Sequence, residues 1–401
     1  MTDQDVLILG GGPCGLMTGL LFARAGLRVR VVEKHADFLH DFRGDTVHPS
    51  TMEVLGQLGL REAFLARPHQ RLEQARLRIG GRELVVGDLA ALRSATPFVA
   101  MMPQWEFLDF LREAASALPG FGLDMGLGAD QLLEEGGRIV GARLSDGSEV
   151  RPQLTIAADG RHSIVRRDRW LPLRDLGSPI DVFWFELPRG ETDSGGLRIA
   201  VEGGRILVRV DRGAYWQCAF VVPKGSAAVL RDAGIGAFRD SLRRIEPELG
   251  ELGDALPSLD RLHLLEVTLD RLRRWHRPGL LAIGDAAHAM SPMGGIGINL
   301  AIQDAVAAAN LLAPALRKGE GIDRLLAQVQ RRRAPSTAII QAVQRIAQDH
   351  VLAPALIREQ SFGRPPWPLV MMDRLPALRR MAGRAIGFGI RNERLSPLLT
   401  A

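Results

Sequence analysis

The sequence holds little cysteine, lysine or tyrosine, and each shortage removes a class of reading. Its two cysteines, Cys14 and Cys218, lie far apart, and one sits inside a glycine-rich loop that a cross-link would distort. A disulfide framework is therefore excluded, and a reducing, cytoplasmic setting is expected. Only three of the 51 basic residues are lysines (Lys34, Lys224, Lys318). The arginines are scattered among 46 acidic residues and leave a net charge of +5 without a basic stripe, so no nucleic-acid partner is expected. A mild positive field still favours phosphorylated dinucleotides. No uninterrupted apolar run reaches the ~18 residues of a membrane span, so no stable membrane insertion is expected. The opening Met1 to Asp5 lacks the basic and apolar regions of a secretory signal. The nine histidines show no metal-ligand spacing, and no metal site is expected.

Hydrophobic residues make up 46% of the 401, enough for two or three interlocking subdomains. The run Asp5 to Leu9 leads into Gly10-Gly11-Gly12-Pro13-Cys14-Gly15 and then Leu16 to Ala23, which reads strand, tight turn, helix. A second strand over Arg28 to Val32 ends in Glu33, completing a βαβ unit and with it a parallel sheet. Ser50 to Glu53 has capping-box spacing and predicts a helix from about residue 51, and another helix is predicted from Gln104 to Pro119. Residues 72–100 predict short strands. The apolar stretches of 178–222, broken by Gly, Pro and Asp, predict an antiparallel sheet. Helical spacing follows at Phe238, Leu242 and Ile245, and Gly279 to Ile283 returns to a buried strand.

The chain thus leaves its first domain and comes back. The expected division is a discontinuous Rossmann-like α/β domain with a parallel sheet (1–71, 101–177, 263–345), an antiparallel-sheet substrate domain (72–100, 178–262) and a helical C-terminal region (346–401).

Gly10, Gly12 and Gly15 form G-x-G-x-x-G between strand and helix, with the acid Glu33 eighteen residues beyond. Gly10 permits the turn, Gly12 admits a pyrophosphate to the backbone, and Gly15 lets helix and strand pack closely. The amides around Cys14, just after Pro13, then meet phosphate at a helix N-terminus, and Glu33 can accept from ribose hydroxyls. The rival reading is a glycine turn that serves only packing.

Two later segments choose the dinucleotide. Leu154 to Arg166, containing Asp159-Gly160 with Ser163 and Arg166 following, resembles the DG motif of flavin hydroxylases of the para-hydroxybenzoate hydroxylase type. Gly284-Asp285-Ala-Ala-His288, followed by Pro292, Gly295, Gly297, Ile298 and Asn299, is similar to their GD motif. The resemblance spans roughly residues 5–350. It implies FAD as cofactor, Asp285 on the ribityl hydroxyls, Asp159 supporting FAD and NAD(P)H, and Arg43 and Gln104 touching FAD. The helix predicted from Leu300 would point its N-terminus at the flavin, where amides from Gly297 to Asn299 would stabilise negative charge on the reduced ring. Where relatives often carry Ser, this chain has Cys14, a weaker hydrogen-bond donor.

The implied activity is a monooxygenase that uses NADPH or NADH and O2 to hydroxylate an aromatic or other electron-rich small molecule through a flavin C4a-hydroperoxide. His48 and Tyr215 are the candidate catalytic residues, each with a structural alternative. Flavin halogenases share the cofactor fold, but their W-x-W-x-I-P motif does not occur. A flavin-dependent reductase of isoprenoid-type double bonds stays open because of the aliphatic C-terminal region. So does a non-redox escort protein that keeps the nucleotide fold.

Overall fold

The computed structural model describes residues 4–39, 46–190, 196–246, 249–357 and 364–400. In chain order, β1 (Val6–Leu9) runs through the glycine turn into α1 (Pro13–Arg24) and β2 (Val29–Glu33). Next come α2 (Pro49–Gln57), the hairpin β3 (Gln74–Ile79) and β4 (Arg82–Asp88), and α3 (Gln104–Ser116). β5 (Phe121–Met125) and β6 (Leu154–Ala157) lead to four long strands: β7 (Ile180–Pro188), β8 (Leu197–Glu202), β9 (Arg205–Asp211) and β10 (Tyr215–Pro223). After α4 (Gly234–Ile245) the chain forms β11 (His263–Leu265), β12 (His276–Arg277) and β13 (Leu280–Ala282). The longer helices that follow are α5 (Gly297–Arg317), α6 (Asp323–Ala347), α7 (Trp367–Arg374) and α8 (Pro376–Phe388).

The first sheet has the order β12-β13-β6-β1-β2-β5, with every pair from β13 to β5 parallel. Its central strands β1, β6 and β13 are buried along their whole length, as burial from both sides requires. One face packs on α1, α3 and α5; the other is closed by Leu132, Ile139 and Trp275. α5 is long and apolar enough to cross a membrane by composition, but its window is mostly buried, and it is the core helix on which α1 and α6 pack.

The second sheet has the order β11-β7-β10-β9-β8-β3-β4 and is antiparallel except between β3 and β8. β11 pairs with β7, so this sheet takes in His263–Leu265 as well as the strands before residue 262. Strand alternation sorts its side chains. Phe183, Phe185, Trp216, Cys218 and Phe220 pack on Phe238 and Leu242 of α4, while Val182, Ala219 and Val221 face the other way.

The helix predicted near residue 51 begins at Pro49 instead, with His48 as N-cap. The capping box does not form, because proline, which lacks an N–H, suits the first helical position and moves the start two residues earlier. Asn299 takes over the capping role from a distance. Its Oδ1 accepts from the His48 amide (3.2 Å) and from Thr51 Oγ1 (2.7 Å).

Candidate cofactor and substrate site

The glycine loop separates two physical demands. Gly10 has φ 101°, and a Cβ there would stand 2.6 Å from the Ala158 carbonyl oxygen. A Cβ on Gly15 would stand 1.9 Å from the Gly10 carbonyl oxygen. Both glycines let backbone meet backbone. A Cβ on Gly12 would meet nothing within 4 Å, since that position opens onto a cavity. α1 starts at Pro13 with Gly12 as N-cap and no side chain capping it, so its first-turn amides stay available to an anion at the positive end of the helix dipole. Glu33, at the end of β2, is fixed beside this loop: Oε2 accepts from the Gly11 amide (2.7 Å) and Oε1 from the His35 amide (3.0 Å).

Asp159 follows β6 and lines the same cavity. Its Oδ2 accepts from the Ile164 amide at 2.8 Å, while Oδ1 is buried without a partner. Burial raises its carboxyl above the ordinary range. Asp285 stands in the turn after β13, half-exposed to the cavity and 3.6 Å from Arg161. That turn is braced from behind. Gly284 donates its amide to Asp304 Oδ2 (3.1 Å), the same oxygen meets His288 Nε2 (2.7 Å), and Arg333 Nε donates to Oδ1 (2.8 Å). Arg333 also reaches Glu393 near the end of the chain. His288 is thereby a bracing residue. Cys14 packs under Gly284, with Sγ donating to the Ala301 carbonyl at 3.4 Å. Burial pushes its thiol far up, which makes it inert.

The start of α5 forms the far wall. Pro292, Gly295, Gly297 and Ile298 line the cavity, and Gly295 (φ 61°) packs so tightly that a Cβ would stand 2.3 Å from Thr46 Oγ1. Asn299 does not line it, because its side chain is committed to capping α2. Gln104, buried at the start of α3, does line it. Arg43 lies outside the described residues. His48 is a cavity residue almost wholly buried, its Nδ1 2.7 Å from the Ile386 carbonyl of α8. That bond places the ring proton on Nδ1 and leaves Nε2 as an acceptor, which has no hydrogen-bond partner. Burial lowers the imidazole to about 4 against the pull of the Ile386 carbonyl, so the ring is neutral at pH 7.

The rest of the cavity, about 1710 Å³ in all, lies over the second sheet. Its floor is aliphatic, from alternating residues such as Val182, Ile199, Val208 and Val221, with Trp184 among them. Arg212 brings a cation to the edge, its Nε and Nη2 both donating to Gln217 Oε1 (2.8 and 2.6 Å). Tyr215 is not brought here. It stands at the far end of β10, opposite Pro188, outside the lining residues. The C-terminal region supplies a wall that sequence reasoning missed, with Leu352, Ala355, Pro366, Leu369 and Ile386 facing inward. Its mixed Leu, Pro and Arg spacing carries no signal of which face would meet a cavity.

Uncapped amides at α1, open space at Gly12, the unsatisfied Asp159 oxygen and Asp285 in one wall are the donor and acceptor set that a flavin dinucleotide takes up. The sequence pattern of the FAD binding domain matches residues 3–344. The chain belongs to the FAD-dependent aromatic hydroxylase family. The hydroxylase is 34% identical over 391 residues to 6-methylpretetramide 4-monooxygenase of Streptomyces rimosus, covering 96% of this chain and 92% of that enzyme. Its fold is similar to that of Pseudomonas aeruginosa PqsL in complex with 2-aminobenzoylacetate (TM-score 0.78, 24% identity, 88% of this chain and 98% of that one). The flavin-dependent brominase Bmp2 is as similar in fold (TM-score 0.78, 18% identity, 96% and 93%). Shared architecture therefore leaves the reaction to the site.

Proposed function

We propose that this FAD-dependent aromatic monooxygenase consumes NADPH or NADH and O2 to hydroxylate a phenolic or similarly electron-rich aromatic substrate lying on the aliphatic sheet floor. The observation that carries the reading is the single cavity that runs from the α1 and Asp285 walls to Val182, Ile199 and Val208. The 34% relative, named for its action on 6-methylpretetramide, supports an aromatic substrate.

FAD, once bound and reduced, would supply activated oxygen from O2, chemistry that belongs to the cofactor. Gly10 to Cys14, Glu33, Asp159, Asp285 and Gln104 would hold the dinucleotide, and the uncapped amides of Gly297 to Asn299 would favour negative charge on a reduced flavin. The aliphatic floor and the C-terminal wall exclude water, which protects an oxygen-transfer step from wasteful hydrolysis. His48 Nε2, buried and without a partner, would accept the hydrogen bond of a substrate hydroxyl and so increase electron density on the ring to be attacked.

The test is to measure NADH and NADPH oxidation in air by the yellow, FAD-loaded protein with a panel of phenolic aromatics, and to weigh the products. Substrate-stimulated consumption with gain of one oxygen atom is expected. Product formed equally well without O2 would replace the reading with a reductase, and a colourless protein that takes up no FAD would end it.

A further inference from the structure

The large apolar side chains left exposed are not spread evenly. Nine of the twelve among the described residues fall between residues 339 and 390. Ile339, Val343 and Ile346 recur at helical spacing along the outer side of α6, and Val351 continues beyond its end. Trp367 (76% exposed) and Met371 do the same on α7, and Met381 (65%) stands on α8. α7 packs on α8, and the chain after α8 returns to α6. Leu352 and Leu369 pack on one cluster beneath, and a Cβ on Gly389 would stand 4.0 Å from Ile340.

The charge on this region is one-sided. Arg364, Arg374, Arg380, Arg384 and Arg391 are exposed, and none of them forms an ion pair with a described residue. The single acid between 364 and 391, Asp373, turns inward and accepts from the Val85 amide at 3.0 Å. The α6 stripe adds Arg345 and, near its end, Asp349. On α8 the exposed Arg380, Met381 and Arg384 share one face.

We propose that this face is a peripheral docking surface for an anionic lipid bilayer. Large apolar side chains interleaved with arginine are what an interfacial helix presents to headgroups and acyl chains, and Trp367 beside Pro366 and Pro368 suits the headgroup level. A second copy of the chain fits less well, because an isologous contact would set five arginines against five with no exposed acid from 364 to 391 to receive them. The same segment lines the cavity through Arg364, Pro366 and Pro368, so docking would bring the cavity's edge to the bilayer. The inference concerns the surface and stands independently of the oxygenation reading.

The experiment is co-sedimentation of the full-length, FAD-loaded protein with vesicles of phosphatidylglycerol and phosphatidylcholine, and with phosphatidylcholine alone. Partition into the anionic vesicles is expected, falling sharply at about 0.5 M salt. The double variant Arg380→Glu, Arg384→Glu should lower it by about tenfold or more, and Trp367→Ser by several-fold, with unchanged flavin content and melting temperature as fold controls. Absent binding to anionic vesicles, equal binding to phosphatidylcholine, or indifference to the charge reversal would each overturn the proposal. So would a concentration-dependent dimer that Met381→Ser abolishes, which would assign the face to a second copy.

Discussion

The two sheets solve opposite problems. The parallel sheet carries its chemistry on backbone: turns, helix ends and close approaches at Gly10, Gly15 and Gly284 that tolerate almost no substitution. The antiparallel sheet carries its chemistry on a face of interchangeable aliphatic residues, Val182, Ile199, Val208 and Val221, whose shape matters only in sum. A cofactor that stays the same can be met by fixed amides, whereas a substrate that differs between relatives is met by side chains that can be exchanged. The difference predicts where substitutions will be fatal and where they will only retune.

The sharpest way to break the comparison is to add one methyl group at two glycines three residues apart. Gly15→Ala drives Cβ to within 1.9 Å of the Gly10 carbonyl and should cost upward of about 4 kcal/mol, seen as loss of soluble, flavin-bound protein. Gly12→Ala enters open space and should leave the melting temperature within a few degrees while weakening FAD binding. Equal damage from both would mean that the loop serves packing alone.

Behind the Gly284-Asp285 turn, Arg333→Met leaves the buried Asp304 with His288 alone and the buried Glu393 with Arg332 alone, and about 3 kcal/mol should be lost in denaturant unfolding. Restoring one carboxylate balance with Asp304→Asn in the same chain should recover part of the loss if the network is electrostatic.

His48 links the two halves through its pH behaviour. Its folded-state value, about 4, lies below the unfolded value near 6.5, so the unfolded chain binds the extra proton between them. Stability should therefore be intact above about pH 6.5 and decline as pH falls toward 4, by about 3 kcal/mol from this group. In His48→Gln that part of the decline should vanish from the thermal unfolding profile. A profile identical to the parent's would remove the assignment of a buried neutral ring.

Asp285→Ala takes a charged acceptor from the cofactor wall and should raise the FAD dissociation constant by roughly tenfold to a hundredfold, measured by flavin fluorescence. At the small end, Tyr215→Phe should leave turnover within about twofold, because the ring stands at the far end of β10. A large loss there would return Tyr215 to the chemistry.

The strand, glycine turn, helix and acid of residues 5–33 were legible because a tight turn with close backbone contacts needs glycine at fixed positions. Asp159 and Asp285 were legible through family motifs that follow buried strands. The Asn299 side chain caps α2, 251 residues from the His48 amide whose hydrogen bond it accepts, while the Asn299 backbone amide stays in the uncapped first turn of α5. No local pattern encodes a partner at that distance. The brace from Asp304 through Arg333 to Glu393 was equally hidden, since single charges in three helical or tail segments look like solvated surface until they are packed.

By itself the sequence determined where the backbone must turn, which segments are buried on both faces, and thus the dinucleotide half with its family. Only the tertiary structure decided which alternate side chains of the second sheet face a cavity, that residues beyond 350 close it, and that His48 holds a neutral acceptor there. Periodicity specifies that a strand has two faces. Which of them meets a helix and which a cavity is set by what the rest of the chain packs against it.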